Sequence, residues 1–179
     1  MSKNLESRQT AVFGGGCFWC TEAIFAMTKG VLSVVPGYSG GKVANPSYEQ
    51  VSEGNTGHVE CAKIEFDPNI ISYQNLLKVF FETHDPTQIN SQGNDVGSQY
   101  QSTIFYLDQN QKELAEKFIA KLDEEKVFNK KVATEVRHMQ EFYPAEDYHY
   151  KYYESHKGVP YCELVIEPKL EKLKNIKFD

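Results

Sequence analysis

Seven residues near the start of the chain combine what a nucleophilic thiol needs: Gly14-Gly15-Gly16-Cys17-Phe18-Trp19-Cys20. A short apolar run, Thr10 to Phe13, precedes them, and Glu22 to Met27 follow with helical spacing. The order is therefore strand, glycine turn, then a helix with a cysteine in its first turn. Glycines allow the tight turn and leave bare main chain for a ligand to approach. A helix start presents unpaired N–H groups and a positive dipole end. A thiolate is stabilised there, so Cys17 is expected to have a lowered pKa and to act as the nucleophile. Phe18 and Trp19 can wall a small apolar pocket beside its sulfur. A structural cysteine between two core aromatics is the plain alternative. Glycine turn, helix start and Cys-x-x-Cys together favour chemistry.

A second reactive group lies on a strand. His58 to Phe66 alternates, with His58, Glu60, Ala62, Ile64 and Phe66 on one face and Val59, Cys61, Lys63 and Glu65 on the other. The first face is the core face, so Glu60 points inward among apolar neighbours. Desolvation raises the pKa of such a carboxyl, which makes it a general acid near neutrality. A strand-end carboxylate in water is the alternative. The same alternation sends Cys61 the other way, among charged residues. His58 follows Gly54-Asn55-Thr56-Gly57 and reads as a histidine bonding that turn rather than as a partner for a cysteine.

The remaining elements must hold these two groups together. Gly30 ends the first helix and Val31 to Val35 reads as a strand. Pro36-Gly37-Tyr38-Ser39-Gly40-Gly41 reads as a glycine-rich turn with an exposed tyrosine, and residues 45–51 as a brief helical turn. Ser72 can cap a helix running to about His84, with Leu76, Leu77, Phe80 and Phe81 buried. A long polar loop, Thr87 to Gln99, places Asp95 as a turn former. A strand over 102–107 follows, then a helix capped by Asp108, a short strand over 132–136, an irregular tail through Cys162, and a last helix over 168–174. The sequence implies an α+β fold: an antiparallel sheet with helices on one side.

Several stretches together resemble one family, methionine sulfoxide reductase A. They are Gly16-Cys17-Phe18-Trp19, Gly37-Tyr38-x-Gly40-Gly41, Gly54-x-Thr56-Gly57-His58-x-Glu60 and Gln92-Gly93-x-Asp95-x-Gly97-x-Gln99-Tyr100-x-Ser102. Ala145-Glu146-x-Tyr148-His149 and Cys162 follow in the same order, so the resemblance spans Ala11 to Cys162. It implies a two-layer sandwich with a ferredoxin-like β-α-β-β-α-β core, an extra helix and an irregular C-terminal tail. It further implies reduction of methionine S-sulfoxide, free or in proteins, as repair of oxidative damage. Cys17 would be the nucleophile and Glu60 the acid, with Tyr38, Tyr100 and Asp95 around the sulfoxide oxygen. Phe18 and Trp19 would hold the S-methyl group, with His149 in support. The sulfenic acid left on Cys17 would be resolved by Cys162, with Cys20 close behind as the alternative and a relay through both also open. Thioredoxin would reopen the disulfide, and no cofactor or metal would be needed. The chain departs from the family at Cys61, Ser98, Gln101 and Tyr150.

Length and composition agree with one catalytic domain over residues 1–179, with 1–8 flexible and 155–179 forming a tail with the recycling cysteine. At 179 residues, 40% hydrophobic and 13% aromatic, the chain can bury a core without staples. A formal charge of −6 argues against nucleic acid. The polar start is no signal peptide and no run is long enough for a membrane span, so a cytoplasmic monomer is expected. Four cysteines in that setting point to catalysis or a metal rather than a disulfide scaffold. Two rivals remain. A general thiol–disulfide oxidoreductase could use Cys17-x-x-Cys20. A structural zinc module is disfavoured, because Cys61 and Cys162 stand alone.

Overall fold

The computed structural model describes residues 7–179. The expected flexible start therefore lies, over residues 1–6, outside the described residues. In chain order, β1 (Gln9–Gly14) leads to α1 (Phe18–Ala26), β2 (Val31–Ser39), the short α2 (Tyr48–Ser52) and β3 (Val59–Phe66). Next come α3 (Tyr73–Glu82), a hairpin of β4 (Ser91–Gln92) and β5 (Asp95–Val96), β6 (Thr103–Tyr106) and α4 (Gln109–Glu124). β7 (Glu135–His138), β8 (Phe142–Pro144), α5 (Tyr152–Ser155) and α6 (Glu167–Lys174) complete the order.

Six strands form one sheet in the spatial order β7-β6-β1-β3-β2-β8. β3 lies between β1 and β2, antiparallel to both. The expected antiparallel sheet acquires one parallel edge, because β7 runs with β6. Helices cover one face, where Phe13, Ile64 and Phe66 meet Leu76, Leu77 and Phe80 of α3 in one cluster. Each such side chain contributes about 1.5–3 kcal/mol by leaving water. The local signals that start these helices are in place: the Ser72 side chain accepts from Asn75 N and Asp108 from Gln111 N. Such caps contribute about 1 kcal/mol each. On the other face Cys61 sits with Val12, Val59 and Phe105 beneath Met139 and Phe142. That corrects the expectation of a charged setting for Cys61: the segment from β7 to β8 folds over this face and dries it.

Two further expectations are corrected. The glycine turn around Tyr38 is strand: β2 continues through Pro36 and Gly37 to Ser39, and Tyr38 is fully buried. Pro36 lacks an N–H, but its carbonyl accepts from Ala145 N at 2.8 Å, beside the ladder that β8 makes with β2. The tail is not irregular at Cys162 either. Cys162–Ile166 forms a wide helical turn that runs into α6. Cys162, Ile166 and Leu170, spaced four apart, are all buried in the main core.

β8 can approach β2 this closely because residue 37 is glycine. A Cβ there would overlap the Phe142 ring and the Tyr143 carbonyl. Gly37→Ala is expected to displace β8 and to lower the unfolding free energy by about 1–3 kcal/mol. Urea unfolding checks this, and an unchanged midpoint would contradict the close approach.

Candidate active site

The turn between β1 and α1 delivers the thiol. Gly16 has φ +97°, and a Cβ there would run into the Gln92 side chain, so only glycine fits. Cys17 then occupies the N-cap of α1 with φ −57° and ψ +127°. Its residual exposure is 9%. The next main-chain N–H, that of Phe18, donates to Oε2 of Glu60 at 3.0 Å. This N–H is one of the helix-start donors with no partner inside the helix, and a carboxyl group from β3 takes it. Tyr38 is the cross-strand neighbour of Glu60 in the β2–β3 ladder, so the two side chains share the helix-covered face.

Aromatic rings close around this centre. Phe18 packs against Tyr38 at 5.6 Å and His149 at 4.9 Å between ring centroids. Trp19 stacks on Tyr152 at 3.7 Å, with the planes 5° apart. Its Nε1–H donates to His149 Nδ1 at 3.0 Å. That bond leaves the His149 proton on Nε2, a buried nitrogen with no partner among the described residues. The Tyr38 hydroxyl donates to Glu146 at 2.9 Å, and Glu146 also accepts from Tyr48 N. On the far side of the sulfurs, the Tyr161 hydroxyl donates to Asp95 at 2.9 Å and lies 3.7 Å from the Cys20 sulfur.

The electrostatics follow from dryness. Burial pushes the Glu60 carboxyl up to about 8, against the opposing pull of the Phe18 N–H. Glu60 is therefore a neutral acid at pH 7. Burial also pushes the Cys17 thiol up, reinforced by its bond to Cys20 and by Glu60. The expected lowering of Cys17 is thus corrected: one helix start does not offset loss of water around the sulfur. Cys20 moves the other way. The interaction with Cys17 draws its thiol down, against the effect of burial. Burial pushes the hydroxyl of Tyr100 up and that of Tyr48 up to about 12, with Glu60 and Cys17 adding to both.

The sequence-predicted residues divide accordingly. Cys17, Cys20, Phe18, Trp19, Glu60, Tyr38, Tyr100 and His149 converge on one centre, and Asp95 reaches it through Tyr161. Cys162 is buried in the core behind the site, in the tail whose preceding residue, Tyr161, touches the Cys20 sulfur. Tyr48, Glu146, Tyr152 and Tyr161 were not singled out by sequence reasoning. Glu146 and Tyr161 had a usable signal, one inside the Ala145-Glu146 motif and one beside Cys162; Tyr48 and Tyr152 sit among many tyrosines and had none. No group of three or more His, Cys, Asp or Glu among the described residues could hold a metal ion. None of the described helices is long and apolar enough to cross a membrane.

Comparison with known proteins places this arrangement. The family model for peptide methionine sulfoxide reductase matches residues 9–179. The peptide methionine sulfoxide reductase MsrA of Sulfolobus acidocaldarius is 58% identical over 164 residues, covering 92% of each chain. Reduced Mxr1 from Saccharomyces cerevisiae superposes with a TM-score of 0.82 at 27% identity, over 90% of this chain and 92% of that one. Methionine sulfoxide reductase A of Corynebacterium diphtheriae gives a TM-score of 0.76 at 32% identity, over 86% of this chain and 77% of that one. The chain belongs to the peptide methionine sulfoxide reductase family.

The raised Glu60 has a thermodynamic consequence. Its folded pKa, about 8, exceeds the 4.5 of a free glutamate, so between those values the native state holds more protons than the unfolded chain. Stability must therefore fall as pH rises through that window. Urea midpoints are expected to decline between pH 5 and pH 8 in wild type, and less in Glu60→Gln. An identical decline in both would show that Glu60 is ionised when folded.

Proposed function

We propose that Cys17 and Glu60 carry out the family's reaction here, reducing methionine S-sulfoxide, free or in proteins, to methionine. The observation that carries the reading is the Phe18 N–H to Glu60 bond. It holds a protonated carboxyl at the helix start that presents the thiol. Breaking an S–O bond needs both: a soft nucleophile for sulfur and a proton for oxygen.

As substrate enters, the Cys17 thiol passes its proton to Cys20, the neighbour on α1 whose acidity is drawn down. Cys17 attacks as a thiolate while Glu60 gives its proton to the sulfoxide oxygen. As the sulfoxide S–O bond breaks, the hydroxyl passes to the Cys17 sulfur, leaving Cys17 as sulfenic acid and methionine as the thioether that departs. Tyr100 steadies the oxygen, and so does Tyr38 once its hydroxyl turns from Glu146 to the substrate. Phe18 and Trp19 hold the S-methyl group, and the unpartnered Nε2–H of His149 is free to donate to the substrate. Asp95 acts through the Tyr161 hydroxyl.

Cys20, now a thiol, condenses with the sulfenic acid and releases water. Its place in the first turn of the helix that Cys17 caps supports Cys20 as first partner, with Cys162 taking over by disulfide exchange. The same spacing is what the rival thiol–disulfide reading would use, yet a neutral buried Glu60 has no task in disulfide exchange. A dithiol of thioredoxin type would reopen the bridge, as the complex of yeast Mxr1 with Trx2 suggests. A reducing compartment such as the cytoplasm would keep these thiols ready between turnovers.

Single turnover of reduced enzyme, quenched and assayed for methionine and by peptide mapping, tests the scheme. Glu60→Gln is expected to slow methionine formation about 100-fold while leaving thiol alkylation unchanged, and wild type is expected to join Cys17 to Cys20. An unaltered rate in Glu60→Gln removes Glu60 as the acid; a first bridge from Cys17 directly to Cys162 removes Cys20 from the relay.

A further inference from the structure

The glycine turn that delivers Cys17 is backed by one glutamine. Gln92, the last residue of β4, is 8% exposed, and both ends of its amide close on the main chain of Asp85. Oε1 accepts from Asp85 N at 3.0 Å, and Nε2 donates to the Asp85 carbonyl at 2.8 Å. An amide paired in this way cannot rotate without breaking a bond. Left unpaired, a buried amide costs free energy, so both bonds hold.

What the amide fixes is the stem of the side chain. A Cβ on Gly16 would stand 2.6 Å from Cγ of Gln92 and 2.7 Å from its Cβ. The two methylenes therefore fill the place that a side chain at residue 16 would take, one residue before Cys17. Gly15 is backed by Phe80 and His84, and Nε2 of His84 is tied to the Ser102 hydroxyl at 2.8 Å. On its own hairpin Gln92 stands opposite Asp95, which accepts from the Tyr161 hydroxyl beside Cys20. Gln92 thus joins the chain after α3, the thiol turn and the hairpin that reaches Tyr161. Beyond it lies a cavity of about 610 Å³, bordered by His84, Asp85, Gln88 and Lys169. Freed of its bonds, the side chain has room there to swing off Gly16.

We propose that Gln92 is a positioning residue for the nucleophile: its amide, closed on Asp85, holds the stem against Gly16 and so fixes where the turn points Cys17 relative to Glu60. The inference rests on the reading of Cys17 and Glu60 as nucleophile and acid. Packing alone would be satisfied by any unbranched side chain of the same length, whereas alignment needs the amide. A misaligned thiol slows the bound complex and leaves the hold of Phe18 and Trp19 on the sulfoxide unchanged.

Gln92→Met keeps the stem and loses both bonds. Its single-turnover rate at saturating methionine S-sulfoxide is expected to fall about tenfold, with the half-saturating concentration within about twofold of wild type. Gln92→Glu keeps the acceptor for Asp85 N–H but turns an oxygen toward the Asp85 carbonyl, and should lose rate to a similar degree. Alkylation of Cys17 by iodoacetamide, located by peptide mapping, should quicken about fivefold in both variants as the turn loosens. A wild-type saturating rate in Gln92→Met would overturn the proposal, since packing alone would then suffice. A raised half-saturating concentration at an unchanged saturating rate would overturn it too, by placing Gln92 in substrate binding. Should Gln92→Met not fold, Gln92→Glu decides. A wild type that makes no methionine would refute the reductase reading instead. The alkylation rates would still judge Gln92, and wild-type values in both variants would remove its hold on the turn.

Discussion

The bond from Phe18 N–H to Glu60 joins two parts of the chain that have no other reason to meet at an atom. It satisfies a donor stranded at the start of α1 and an acceptor buried near the start of β3. Each would be expensive alone in so dry a place. Together they fix the helix start on the sheet, and the helix start carries Cys17. The same burial that makes the bond necessary keeps the carboxyl protonated, so one arrangement supplies the structural tie and the acid. The Cys17 sulfur, by contrast, is buried, and burial pushes its thiol up while that of Cys20, one turn along α1, is drawn down.

Around this tie the C-terminal third of the chain works as a cover. β8 docks on β2 where Gly37 leaves room, and that brings Glu146 to the Tyr38 hydroxyl. The following residues lay His149 and Tyr152 against Phe18 and Trp19. Tyr161 then reaches the sulfurs and Asp95, and Cys162 anchors α6 in the core. Thus the segment that brings His149, Tyr152 and Tyr161 to the site also carries Cys162, next in the chain to Tyr161.

How much of this could be read from sequence depended on how local the cause was. The alternation of His58 to Phe66 is a local pattern that places Glu60 and Cys61 on opposite faces, but it does not show that the chain from β7 to β8 buries the face of Cys61. Ser72 and Asp108 act within three residues of themselves and marked their helices. Tyr38 was misjudged because Pro36 and Gly37 are turn residues by local preference, whereas their strand is imposed by β3 on one side and β8 on the other. Cys162 was taken for irregular chain because of Gly158 and Pro160, although Cys162, Ile166 and Leu170 carry a helical spacing. The Cys17 shift was missed for the opposite reason to Glu60. A helix start is visible in sequence, but the depth at which the fold buries it is not.

The central claim is that one thiol does the chemistry and that its substrate is a sulfoxide. Reduced enzyme mixed with methionine S-sulfoxide, with no added reductant, tests it by counting methionine released per chain in wild type and in Cys17→Ser. The account predicts a burst of about one equivalent in wild type, with a second once exchange to Cys162 frees Cys17, and none in the variant. A burst that survives in Cys17→Ser, or no methionine from wild type, would contradict it.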